Sequence, residues 1–240
     1  MIKIPQLIDH GHIIESVVEI RFIPSNERTA FLDIVAAVRS HVANYSFQPA
    51  EIPRQIRQSD PQFEYSVEGS LNGEEYSIGI GSNTLVFNCV NGYKRWSEFF
   101  PFIKKVLETV AGSIKQILRI GVRYTNFFEG MNDLSNFNVG FVAGAQGLKI
   151  ELAKVHQMIL KFAMVGDVVS YNVTVANHAS VPRATSPGAL LDIDAYLDRG
   201  LHGAVGKQHF DQIDLVHTKE KEMFFALLQN EFLDTLNPKY

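Results

Sequence analysis

Hydrophobic and polar positions alternate from Ile13 to Ile23, where Ile14, Val18, Ile20 and Phe22 interleave with Glu15, Glu19 and Arg21. Side chains two apart share a face of a strand, so this segment is predicted to be a strand with one apolar and one ionic side. Pro24 ends it. Beyond Pro24 the period changes: Phe31, Ile34, Val35, Val38 and Val42 fall three and four apart, the spacing of one helical face, with Ser25 or Asn26 placed to cap the helix. The stretch Phe47 to Pro61 carries three prolines and no sustained period, and is expected to be an irregular connection.

Three short strands are predicted next, Phe63 to Glu68, Glu75 to Ile80 and Thr84 to Val90, separated by the turn residues Asn72-Gly73 and Gly81-Ser82-Asn83. After Asn91-Gly92, the residues Trp96, Phe99, Phe100, Ile103, Val106, Leu107 and Val110 trace the most regular helical stripe in the chain, with Pro101 in its first turn or at a kink. Ile117 to Phe127 returns to period two, with Leu118, Ile120, Val122 and Tyr124 on one side and Arg119, Arg123 and Thr125 on the other. Glu129 to Gln146, rich in Asn and Gly, reads as a long connection with one short strand. A hairpin around Gly166-Asp167 and a strand from Leu190 to Leu197 follow. Two closing helices are expected. The weaker is Lys207 to His217; Thr218 caps the stronger, which carries Phe224, Leu228, Phe232 and Leu236.

The sum is an α+β chain of antiparallel sheets packed on helices. It reads as a single domain over 1–240, with two pseudo-related β-α-β-β-β-α lobes, 1–128 and 147–240. With 46% hydrophobic and 20% charged residues, the chain is far from the composition of a disordered one. A net charge of -4 gives no global field for nucleic acid or an anionic membrane. The local basic excess from Lys94 to Arg123 is the segment through which nucleic acid would bind. No apolar run reaches membrane-spanning length and the N-terminus lacks a leader pattern, so a cytoplasmic protein without membrane contact is expected. Cys89, the single cysteine, excludes an internal disulfide and a thiolate-rich zinc site, and is read as a buried structural thiol.

Candidate chemistry is sparse. No phosphate loop or nucleophile elbow is present; Gly79-Ile80-Gly81 lies at a hairpin edge rather than between a strand and a helix. His10 and His12 flank Gly11 and would need an acidic partner to hold a metal. His209, Asp211 and Asp214 read as the exposed face of an amphipathic helix. Asp192 and Asp194 project from one side of a strand, where a carboxylate pair is able to take Mg²⁺ and otherwise faces water. Glu19 and Arg21 share a side, as do Arg119 and Arg123. If the strands are neighbours, Glu19 forms a structural ion pair with Arg119 or Arg123. The sharper reading makes Glu19, Arg21, Arg119 and Arg123 ligand-binding groups inside a strand-built cavity. In outline this resembles the triphosphate-tunnel enzymes, although Val17 stands where their pattern has a second glutamate.

A further resemblance covers nearly the whole chain. His12-Ile13-Ile14-Glu15-Ser16-Val17-Val18-Glu19-Ile20-Arg21-Phe22 resembles the opening of a sporadically distributed prokaryotic family of uncharacterised proteins. Its central Arg-x-Gly-x-Arg-Tyr-x-Asn strand is similar to Arg119 to Asn126 here. Tyr93-Lys94-Arg95-Trp96, Leu191-Asp192-Ile193-Asp194 and the Thr218 segment follow in the same order. The resemblance implies no catalytic residue and no cofactor; its patchy distribution points to mobile or defence-associated genes. The first functional expectation is therefore a non-enzymatic binding or interaction module with a protein partner or a second copy; the terminal helix is expected to pack on its own sheet, with docking of a second copy as the alternative. The alternative is a Mg²⁺-dependent enzyme acting on phosphate or polyphosphate through Glu19, Arg21, Arg119, Arg123, Asp192 and Asp194.

Overall fold

The computed structural model describes residues 4–5, 8, 12–139, 142–143, 148–149 and 156–240. The strands are β1 (Ile13–Pro24), β2 (Ser46–Pro49), β3 (Gly69–Asn72), β4 (Tyr76–Ile80), β5 (Thr84–Cys89), β6 (Ile114–Glu129), β7 (Val142–Ala143), β8 (Leu148–Lys149), β9 (Ile159–Met164), β10 (Ser170–Ala179) and β11 (Gly188–Leu197). The helices are α1 (Ala30–His41), α2 (Arg54–Ser59), α3 (Trp96–Val110), α4 (Lys207–Leu227) and α5 (Asn230–Thr235). Nine strands form an antiparallel sheet in the order β2-β3-β4-β5-β1-β6-β11-β10-β9, and β7 pairs with β8, which makes the fold α+β. Among the described residues no helix is long and apolar enough to cross a membrane.

The chain divides into two compact units. A meander unit comprises Glu15–Val122 and Tyr196–His217; a hairpin unit comprises Met1–Ile14, Arg123–Ala195 and Thr218–Tyr240. The boundaries fall inside β1, β6, β11 and α4 rather than in the Glu129 to Gln146 connection.

In the meander unit the alternation read from β1 sets the burial: Val18, Ile20 and Phe22 are buried, and Glu19 and Arg21 lie on the other side. β1 pairs with β5 with Glu19 opposite Val86, and β5 pairs with β4 with Phe87 opposite Ile78. Ile34 and Val38 of α1 join Phe99, Ile103, Val106 and Val110 of α3 in this core. Asn91 and Gly92 both take left-handed φ, 59° and 103°, as a tight reversal between β5 and α3 requires. Pro101 sits within α3 and does not end it.

Two differences from the sequence reading arise before β3. Residues 63–68 are not a strand. Asp60 accepts a hydrogen bond from the Gln62 amide and Pro61 opens a 3₁₀ turn, a local arrangement that competes with a ladder. The strand begins at Gly69 instead. The Phe47 to Pro61 connection contains β2 and α2; β2 is exposed at every position and ends in Pro49, so it shows no period two and sits at the sheet edge.

In the hairpin unit β9 and β10 pair around Gly166-Asp167, as expected, with Val173 opposite Phe162. Val173, Val175, Leu191 and Ile193 face Phe224, Phe225, Leu228, Leu233 and Leu236 in one core. The row of Phe224, Leu228, Phe232 and Leu236 is thus packed on its own sheet, the first of the two readings its apolar face allows, rather than left open for a second copy. Thr218 caps nothing, because α4 runs unbroken from Lys207 to Leu227. Its buried stripe is continuous through Phe210, Ile213, Val216, Glu220, Phe224 and Leu227, and the charge at Glu220 conceals that continuity in the sequence. The chain breaks its helix only at Leu228-Gln229, before α5.

Candidate functional site

The polar side of the meander sheet collects the ionic residues. Glu19 and Arg21 are two apart on β1, which puts both on one face, and Arg21 Nε donates to Glu19 Oε2 at 2.9 Å. Arg119 of β6 donates to the same carboxylate oxygen. Glu19 therefore pairs with Arg119, the first of the two partners the strand pattern allows. The Arg21 guanidinium lies over the Tyr65 ring at 4.6 Å, and that of Arg119 over Tyr196 at 4.5 Å. Flat cations on aromatic faces gain quadrupole attraction and lose side-chain freedom. Neither tyrosine stood out in the sequence, because each reaches its arginine from a separate segment.

Arg123 and Asp192 belong to the hairpin unit. Arg123 Nε and Nη2 donate to the two Asp192 oxygens at 2.7 and 3.0 Å, a bidentate pair, and Thr125 donates to Oδ1 at 3.2 Å. Asp194 accepts from Asn172 Nδ2 at 3.1 Å. The two carboxylates do share a strand side. A Mg²⁺ ion on Asp192 would have to displace a forked guanidinium, and among the described residues no three His, Cys, Asp or Glu side chains gather as a metal site.

Each named residue of the Arg-x-Gly-x-Arg-Tyr-x-Asn run has a structural role. Arg119 holds Glu19, Arg123 holds Asp192, Tyr124 is buried, and the buried Asn126 donates to the Leu191 carbonyl at 3.4 Å. Gly121 is needed for space: a Cβ there would meet the Arg119 guanidinium. Gly121→Ala is expected to keep the fold, because the obstructing atoms end a flexible side chain, and to push Arg119 off Glu19. The cost should be about 1–2 kcal/mol in urea denaturation, near that of one charge-assisted hydrogen bond. The loss should shrink when Glu19→Ala is already present, which a double-mutant cycle reads.

Several other sequence-selected residues have structural positions. His10 and Gly11 lie outside the described residues; His12 packs its ring on Phe128 at 4.5 Å. His209 is buried rather than solvent-facing, and its Nδ1 accepts the Gly206 amide at 3.2 Å, closing the first turn of α4. Burial holds its imidazole below the ordinary range, so the neutral ring is the stable form. Asp211 pairs with Lys207 at 2.7 Å, and Asp214 accepts from Trp96 Nε1 at 2.7 Å. His217 stacks on the Trp96 ring at 3.9 Å. Lys94 and Lys104 of the basic segment pair with Glu75 and Glu108. Cys89 is partly exposed, and burial pushes its thiol up.

A cleft of about 460 Å³ opens in the meander unit, lined by Glu27, Arg57, Asp60, Glu68 and Ser82 among others. None of the six residues selected from the sequence lines it. Arg57 and Glu68 of this cleft are committed: Arg57 bonds the Ile52 carbonyl at 2.7 Å and approaches Glu68 at 3.5 Å, while the Ser82 amide donates to Glu68 at 3.0 Å. This set fastens the segment before β3 to the β4–β5 turn. Among the described residues the buried acid is instead Glu220, whose Oε1 makes no hydrogen bond.

No protein-family model matches the chain, and no curated protein is similar to it at a significant level.

Proposed function

We propose that this protein is a non-enzymatic binding module of the cytoplasm that meets a protein partner on the polar side of its meander sheet. The observation that carries this reading is the state of that side: Ser70, Asn72, Ser77, Asn88, Glu19, Arg21 and Arg119 are all partly exposed there and already tied together. Asn72 donates to Ser70 at 3.0 Å, Asn88 to Ser77 at 3.4 Å, and Arg21 and Arg119 to Glu19. Side chains ordered before contact lose less entropy on binding, and arginines braced by tyrosines are the residue types that anchor protein interfaces. The family resemblance, with its mobile or defence setting, supports a partner encoded nearby. The committed contacts of Asp192 weigh against the enzymatic alternative.

Two measurements test this. Ser77→Arg places bulk in the middle of the polar side, on a strand it does not need to disturb. The purified variant should melt with the wild type; a partner protein should co-purify with the wild type and be lost from the variant. In parallel, MgCl₂ with nucleoside triphosphates should leave the wild-type melting temperature unchanged, since only a ligand of the folded state raises it. A rise of several degrees that disappears in Asp192→Ala would overturn the binding reading in favour of phosphate chemistry.

A further inference from the structure

The end of the β9–β10 hairpin carries an arrangement that neither the ionic residues nor the core explains. His156, just before β9, and His178, near the end of β10, place their ring centroids 4.8 Å apart. Both rings reach solvent, His156 the more so. Among the described residues neither ring makes a hydrogen bond through its nitrogens.

The backbone beneath the pair is fixed with unusual care. His178 takes a left-handed φ of 49°, uncommon for a residue with a side chain. Asn177, 1% exposed, sits between the two histidine segments. Its Oδ1 accepts the Met158 amide at 2.7 Å, and its Nδ2 donates to the carbonyls of His156 and Asn132, each at 3.2 Å. One buried amide thus holds the backbone on both sides of the pair, so the two side chains leave the chain from fixed, neighbouring positions.

We propose that His156 and His178 form a site for a borderline divalent transition ion of the zinc, nickel or copper class. Neutral imidazole is the ligand these ions share. Two nitrogens at about 2.0–2.1 Å from a tetrahedral ion stand about 3.3 Å from each other, and rings at this centroid spacing reach that separation by rotation of the side chains. Two protein donors are fewer than the four of a structural zinc site or the three of a catalytic one. The ion would therefore exchange readily and keep positions open for water or for a donor brought by another molecule. Asn177 is the positioning residue, acting through the backbone of both histidines. This inference stands apart from the meander sheet and does not depend on how that surface is used.

The test uses the full chain without an affinity tag, freed of metal by chelation and titrated calorimetrically with NiCl₂ and ZnCl₂ at neutral pH. One equivalent should bind. His156→Ala and His178→Ala should each weaken binding by at least about tenfold, the scale on which a lost ligand or its support is felt. His202→Ala, removing an exposed histidine of the other unit, should leave the isotherm unchanged. A metal-dependent rise in melting temperature should vanish in the two pair variants while their metal-free melting stays that of the wild type. That baseline separates lost ligation from lost folding. No heat of binding with the wild type, or one equivalent still bound by the His156→Ala/His178→Ala double variant, would overturn the assignment.

Discussion

Replacing Glu220 by methionine will stabilise the protein by about 1–3 kcal/mol at neutral pH, the cost of a buried polar group left without a partner. Glu220 is 2% exposed in the middle of α4, and its Oε1 has no hydrogen-bond partner. Burial first, and then the Asp192 carboxylate, raise its pKa well above 4.5. The neutral acid is consequently the form that the folded state favours. Lys219 and Glu222 pair with each other at 2.6 Å, so the Lys219 ammonium beside Glu220 is already engaged.

The direction of the pH effect follows from linkage. A carboxyl whose native pKa exceeds its unfolded value binds more protons when folded, so its contribution is complete below the unfolded pKa. It is then lost as pH rises toward the native pKa. The stability gap between Glu220→Met and the wild type should accordingly be small near pH 4 and widen through neutrality. Urea melts at a series of pH values read this directly. A gap that is constant with pH would mean that the carboxylate is charged in the folded protein and compensated by a group other than those named.

Gly188→Ala will cost about 3 kcal/mol or more, the upper range for forcing atoms into a packed interior. A Cβ at this position would collide with the Phe128 carbonyl oxygen and with the Phe127 ring, and the first of these is backbone that cannot rotate away. The chain has no slack there. The Gly130 amide donates to the Pro187 carbonyl at 3.1 Å. Glu129 Oε1 accepts from the Ser186 amide at 2.9 Å and the Thr185 hydroxyl at 2.7 Å. These bonds hold the Glu129 carboxyl below its usual range and fix the entry to β11 against the end of β6. Thermal melting should show the loss as a fall of several degrees, larger than that of Gly121→Ala, where only a mobile guanidinium stands in the way.

Elements whose pattern is local were legible in the sequence. β1, α3, β6 and the β9–β10 hairpin each follow from a period of two or of three and four, because burial of one face is written into consecutive residues. The pairing of Glu19 with Arg119 was legible in the same way, since charges on the second side of adjacent strands have few other partners. Edge strand β2 and short helix α2 were not. An exposed strand needs no apolar alternation, and a helix of six residues offers too little period to detect.

The sequence by itself determined the α+β class, the apolar faces and the polar side of the first strand, since each depends on the spacing of neighbouring residues along the chain. Only the tertiary structure decided that α4 continues past Thr218, that His209 turns inward, that Tyr65 and Tyr196 lie on the arginines, and that His156 meets His178. Those outcomes rest on contacts between residues far apart in the chain, where one buried carboxyl among six stripe positions, or one amide between two loops, carries no periodic signal. Packing, which sums such contacts, was the deciding physics.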